Sequence, residues 1–257
     1  MKKSLLSCVT VLAACTLALA DSKDDIAAAA KKLGDAANYS WHTTVAVPED
    51  APFHPGPTDG KTEKDGYTDI KSSFRDNQIE IVKKGDKAAF LNQDGEWQTP
   101  EEAQADQGPG RFMAGMVRNA KTPADQAVDI AAGVKEFKAD GEAVGGDLTE
   151  DAAKNLLSFR RRGGANGGGG PNISEAKGSA KFWIKDGQLA KYEFKVTGKV
   201  EFNGNEMNQD RTTTVEVKDV GATKVEVPAE AKKKLEPAPA PATAPATDTA
   251  APAKDKK

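Results

Sequence analysis

The sequence predicts an α+β protein: a curved, largely antiparallel sheet with an N-terminal helix and further helices inserted mid-chain. Three observations carry this prediction. Toward the C-terminus, apolar and charged side chains alternate over long runs, the period of two expected of strands with one buried face. Between residues 67 and 97, short strand-like runs are separated by tight-turn residues. Between those two regions, helix-start signals follow one another closely.

Residues 1–20 read as a sorting signal. Lys2 and Lys3 are followed by an apolar stretch from Leu5 to Leu19, and Ala18-Leu19-Ala20 forms an A-x-A cleavage site before Asp21. The stretch is short for a bilayer span and runs at once into Asp21-Ser22-Lys23-Asp24-Asp25. A competing reading takes Leu12-Ala13-Ala14-Cys15 as a lipobox, with lipid attached to Cys15 and the protein tethered to a membrane. Cleavage after Ala20 removes both cysteines, Cys8 and Cys15, and with them any disulfide or thiolate chemistry. It also takes the basic residues from 36 to 34 against 39 acidic ones, a net charge of −5. A mildly acidic chain without a basic block argues against nucleic acid as a partner and leaves at most peripheral contact with a membrane.

Asp24 to Ala37 is an amphipathic helix, with Ile26, Ala29, Ala30, Leu33 and Ala37 at helical spacing. The period then changes to two over Tyr39 to Val47, a half-buried strand. Pro48 to Asp65, rich in proline and glycine, reads as a loop. Strands follow at Tyr67–Arg75, Gln78–Lys83, Lys87–Asn92 and around Trp97, separated by Asp76-Asn77, Lys84-Gly85-Asp86 and Asp94-Gly95. Thr99-Pro100-Glu101-Glu102 and Thr122-Pro123-Ala124-Asp125 each supply an N-cap threonine, a proline at the first helical position and a carboxylate three residues on. Between them, Phe112, Met113, Met116 and Val117 make one helical stripe. A strand from Val134 to Ala139, another near Val144 and a helix from about Thr149 to Arg160 complete this middle region.

Arg160 to Pro171 is rich in arginine and glycine, but no strand precedes it and no Lys-Ser/Thr pair follows. It therefore reads as a surface loop rather than a phosphate cradle. The closing hairpins are the clearest feature. Ala180, Phe182 and Ile184 alternate with Lys181, Trp183 and Lys185; Tyr192, Phe194 and Val196 alternate with Lys191, Glu193 and Lys195. A third long strand spans about Gln209 to Val220, and a short one spans Lys224 to Val227. From Glu236 to Lys257 the chain is dominated by proline, alanine and threonine and reads as a disordered tail. Residues 21–235 are thus expected to form a single domain.

The order of N-terminal helix, strand meander, inserted helices and long closing hairpins resembles the LolA/LppX-like periplasmic carrier superfamily over roughly Asp24 to Lys234. The residues that carry the likeness run from Lys181-Phe182-Trp183-Ile184-Lys185-Asp186-Gly187 through Thr212-Thr213-Thr214-Val215 to Val225-Glu226-Val227-Pro228. The resemblance implies a half-barrel with an apolar concavity under a helical lid, and carriage of lipid, lipoprotein acyl chains or glycolipid through the envelope. The Gly-rich run and the Pro/Ala-rich tail are additions to that pattern.

Inward-pointing positions give the ligand-lining candidates Trp41, Ile79, Ile81, Phe90, Tyr192 and Phe194, with Met113 and Met116 from the lid. Methionine is a deformable filler of adaptable apolar surfaces. A sixteen-carbon chain buried there gains up to roughly 13 kcal/mol at about 0.8 kcal/mol per methylene, before ordering costs reduce it. The same residues also suit an ordinary core packed against helices. Catalytic signals are weak. His42 and His54 have no metal-ligand spacing, G-x-S-x-G is absent, and the carboxylates are scattered. The sequence therefore points to a non-catalytic, cofactor-free periplasmic or secreted binding protein whose partner is a lipid or other apolar molecule. The alternative is an envelope scaffold, tethered by its tail and partnered by another envelope protein.

Overall fold

The computed structural model describes residues 22–74, 77–105, 109–158, 171–202 and 204–236. The sorting signal with Cys15, the Gly-rich run and the tail beyond Glu236 lie outside the described residues, as does Asp76.

The strands are β1 (Asn38–Ala46), β2 (Thr58–Glu63), β3 (Thr68–Phe74), β4 (Asn77–Lys84), β5 (Lys87–Leu91), β6 (Trp97–Gln98), β7 (Lys138–Asp140), β8 (Ala143–Asp147), β9 (Asn172–Lys185), β10 (Gln188–Phe202) and β11 (Asn205–Lys218). They form one sheet in the order β6-β5-β4-β3-β2-β1-β11-β10-β9-β8-β7. Every pairing is antiparallel, and the end strands β6 and β7 do not meet, so the sheet is open. β1 joins the two halves: it pairs with β2 of the meander and with β11 of the closing hairpins. The register shift between Leu189 and Lys191 puts an extra residue in β10, and the one between Thr197 and Lys199 puts it in the facing strand β9; such bulges bend a strand and raise its local twist.

Among the described residues six helices accompany the sheet: α1 (Ser22–Gly34), α2 (Pro100–Ala105), α3 (Pro109–Asn119), α4 (Pro123–Ala132), α5 (Glu150–Leu157) and α6 (Ala229–Leu235). The stripe expected of α1 is buried from Ile26 to Leu33; the helix stops at Gly34, which leaves Ala37 outside it. The start of α2 is a reciprocal capping box. The Glu102 amide donates to Thr99 Oγ1 (3.2 Å) and the Thr99 amide donates to Glu102 Oε2 (2.9 Å). Thr122 caps α4 by accepting from the Asp125 amide, and Thr149 caps α5 by accepting from the Ala152 amide (3.2 Å).

Four expectations change. The stretch read as a loop from Pro48 to Asp65 contains β2, whose inward positions are small or polar rather than large and apolar. Its Gly60 lies under the Trp41 ring, so the apolar cover comes from the neighbouring strand. The strand expected from Val134 to Ala139 shrinks to β7, preceded by one isolated bridge between Val134 and Leu148. β9 begins at Asn172 and extends the closing hairpin well before Ala180. Lys224–Val227 is not a strand. The Val225 amide donates to the Glu63 side chain (2.9 Å), and the segment leads into α6, which the sequence reading did not anticipate.

The charged outer face is also not wet throughout. Val82 and Ala89, which point away from the main core, are fully buried with Trp97, Val227, Ala231 and Leu235 in a second, smaller core. The segment 225–235 is therefore a strap across the convex face of β4–β6.

Candidate functional site

The main core lies between the concave face of the sheet and the helices. It is continuous from Ile79, Ile81 and Phe90 on β4 and β5, through Trp41 on β1, to Tyr192 and Phe194 on β10. All six ligand-lining candidates from the strands are buried: Tyr192 is 0% exposed, Phe90 1%, and Ile79, the most open, 9%. The structure thus brings the predicted residues onto one surface, and in this state protein side chains cover it. Phe182 stacks on Tyr192 with ring centroids 6.2 Å apart, and Tyr39 lies 5.9 Å from Trp41.

Two sets of helices provide the cover. α1, α4 and α5 form the first set. α1 packs on α4 and on β10, and α5 packs on β9 and β10. The Tyr192 hydroxyl donates to Gln126 Oε1 of α4, which satisfies a phenol whose burial pushes its pKa well above the usual tyrosine value. The α2–α3 pair is the second set, and it packs chiefly against itself and against the short strand β5. Met113 and Met116 of α3 are only partly buried where they meet the main core; Ala114 and Val117 are fully buried there.

Polar ties hold the α2–α3 pair at one end. Arg118 of α3 donates to Pro100 O (3.4 Å), Glu101 Oε1 (3.3 Å) and Gln104 Oε1 (3.2 Å), which binds α3 to α2. Lys83 Nζ of β4 donates to Ala120 O just past α3 (2.7 Å). Lys234 of α6 donates to both oxygens of Glu102, at 2.7 and 2.9 Å, so the convex strap grips the capping carboxylate of α2. That ion pair, with the capping bond, holds Glu102 below the usual glutamate range. Burial holds Lys83 below the usual lysine range, opposed by Asp125 and Asp86.

Sequence reasoning missed these ties. Glu102 was legible as a cap, but Lys234 sits in a lysine run that reads as solvated, and Arg118 falls just beyond the apolar stripe of α3. Two clefts open where the ties converge. One, of about 520 Å³, lies between β3–β4 and the α3–α4 junction; the other, of about 580 Å³, lies between the β4–β5 turn and the α2–α3 pair. They share Lys83, Gly85 and Arg118.

Among the described residues, no group of three or more His, Cys, Asp or Glu side chains is arranged to hold a metal ion. His42 lies on the convex side of β1, opposite the face that carries Trp41, with Nδ1 2.7 Å from Asp59 Oδ1. No helix among the described residues is long and apolar enough to cross a membrane.

No protein-family model matches the chain, and no curated protein matches it. Among solved structures, the chain is similar to Mycobacterium tuberculosis lipoprotein LppX, with 8% identity, a TM-score of 0.43, and coverage of 79% of this chain and 96% of that one. It is also similar to LprF from Mycobacterium bovis, with 12% identity, a TM-score of 0.39, and coverage of 81% and 96%.

Proposed function

We propose that this protein is a non-catalytic binding or carrier protein for a lipid-like molecule, held between the concave face of the sheet and the α2–α3 lid. One observation carries the reading: the largest apolar surface in the fold is roofed in part by a helix pair anchored at a single edge of the sheet. Lifting α2–α3 breaks few contacts and leaves every sheet pairing and the α1–α4–α5 cover in place. Segments with few buried contacts open at low free-energy cost, which is what a lid requires. Opening exposes Phe90, Met113 and Met116 together, a surface fitted to an acyl chain.

Export fits this role. In this reading residues 1–20 act as the signal and residues 21–235 form the carrying domain, with lipid tethering at Cys15 as the alternative address. The test is extraction of protein purified from its native envelope, followed by mass spectrometry. Lipid recovered near one molecule per chain supports the proposal. No extractable lipid, with added acyl chains also failing to bind, contradicts it.

A further inference from the structure

The cleft of about 580 Å³ beside the lid has two properties that belong together. Its floor is apolar: Ala88 of β5 and Val117 of α3 line it, and both pack against the main core. That places its base on the seam between the sheet and the lid. Its walls are cationic: Lys83, Lys87, Arg118 and Lys234 line it against only Asp86 and Glu101. Arg118 is held by Glu101, and Lys234 by Glu102. Lys83 and Lys87 have no carboxylate within ion-pair distance among the described residues. Among the described residues the half-buried Lys83 ammonium donates to one carbonyl, so it retains donors for a second acceptor.

We infer that this cleft is a subsite for the anionic end of an amphiphile, a carboxylate or phosphate held by Lys83 and Lys87 at the mouth of the lid seam. The chain of the same molecule enters between Ala88 and Val117 toward Phe90 and Met116. The anion meets two cations with no carboxylate within ion-pair distance among the described residues, and hydrogen bonds between oppositely charged groups are stronger than neutral ones. The neighbouring cleft of about 520 Å³ is less suited. Its Lys121 is bound to Asp129, and Asp125 adds a second negative charge. The acyl part of this inference rests on the carrier reading; the anion part rests on the cleft alone.

The experiment compares palmitate with hexadecanol, which share a sixteen-carbon chain and differ in charge at one end, and adds inorganic phosphate as a chainless probe. Wild-type protein binds palmitate about tenfold tighter than hexadecanol, and the ratio falls toward one in K83Q and in K87Q, while K87R retains it. Lys87 is exposed at the start of β5, so K87Q tests the subsite without removing a buried contact. A wild-type ratio near one, or a ratio unchanged in both glutamine variants, overturns the inference. Phosphate that shifts the Gly85 and Lys87 amide resonances in wild type but not in K87Q, with neither long-chain probe bound, keeps the anion subsite and removes the carrier reading. Failure of both palmitate and phosphate to perturb those amides removes the subsite.

Discussion

A methyl group added at Gly60 would lie 2.0 Å from the Trp41 ring, so the hydrogen at this position is what lets β1 and β2 pair with the indole lying flat across them. Gly60→Ala should destabilise the protein by about 1–3 kcal/mol through overpacking, read by urea unfolding. An unchanged midpoint would show that Trp41 can swing away at no cost. Asp69, on the convex side of β3 opposite Val82, makes a second prediction. It is 6% exposed, its Oδ1 has no hydrogen-bond partner among the described residues, and Lys71 Nζ is 3.7 Å from its other oxygen. Burial pushes its carboxyl up to about 6, Lys71 opposes the shift and Glu80 adds to it. The folded state therefore binds a proton that the unfolded chain releases between about pH 4 and 6. This group's stabilisation is full below about pH 4 and is lost as the pH rises through about 6, an effect on the order of 2–3 kcal/mol. Asp69→Asn should stabilise the protein at neutral pH and flatten that slope; an unaltered slope would place the proton elsewhere. Neither residue was legible in the sequence, because Gly60 reads as a loop glycine and Asp69 as one more surface charge until their cross-strand neighbours are known.

The elements divide into those whose own pattern declares them and those that borrow their burial. The capping signals at Thr99 and Thr122 and the alternation in β10 and β11 are local facts, and the structure places helices and strands there. β2 and α6 are different. β2 carries no large apolar residue, and α6 hides Ala231 and Leu235 among Glu230 and three lysines, so each depends on a surface far away in the chain. Leu235 is 4% exposed in the convex core, and Leu235→Ala should cost about 2–3 kcal/mol and red-shift the emission of Trp97 beside it. An unaltered spectrum would show that the strap does not shield that ring. The ligand-lining candidates follow the same logic. Period two placed the six strand residues on one face, and the 3.6 period placed Met113 and Met116 on the sheet side of α3. Neither period reports whether a face is covered, which is why the two sets of helices became distinguishable only through their anchoring. Hydrogen exchange tests that distinction: amides of α2 and α3 should exchange well before those of α1, α4 and α5, and equal protection would deny the lid its mobility.

At the scale of the whole molecule, an open antiparallel sheet of this length has one large concave surface, and a chain of this size covers it with helices from three separate stretches of sequence. The convex strap reaches the lid through Lys234 and Glu102, so both faces of the sheet meet at the base of α2. The fold class was legible because long alternation and the order of elements are global properties of the sequence. How extensively each helix is anchored to the sheet was not, because it depends on which strands each one contacts. The central claim is that an acyl chain enters the concave face, and the three tryptophans separate that face from the rest of the protein. Trp41 lies in the main core, Trp97 in the convex core, and Trp183 on the outer side of β9 with Lys191 4.6 Å from its ring. The direct measurement is quenching by a dibrominated fatty acid in variants that keep one tryptophan each. The account predicts saturable quenching of Trp41 with Trp183 unaffected. Quenching of Trp183 with Trp41 untouched would mean that the chain adsorbs to the outer surface and that the concave core is only a core.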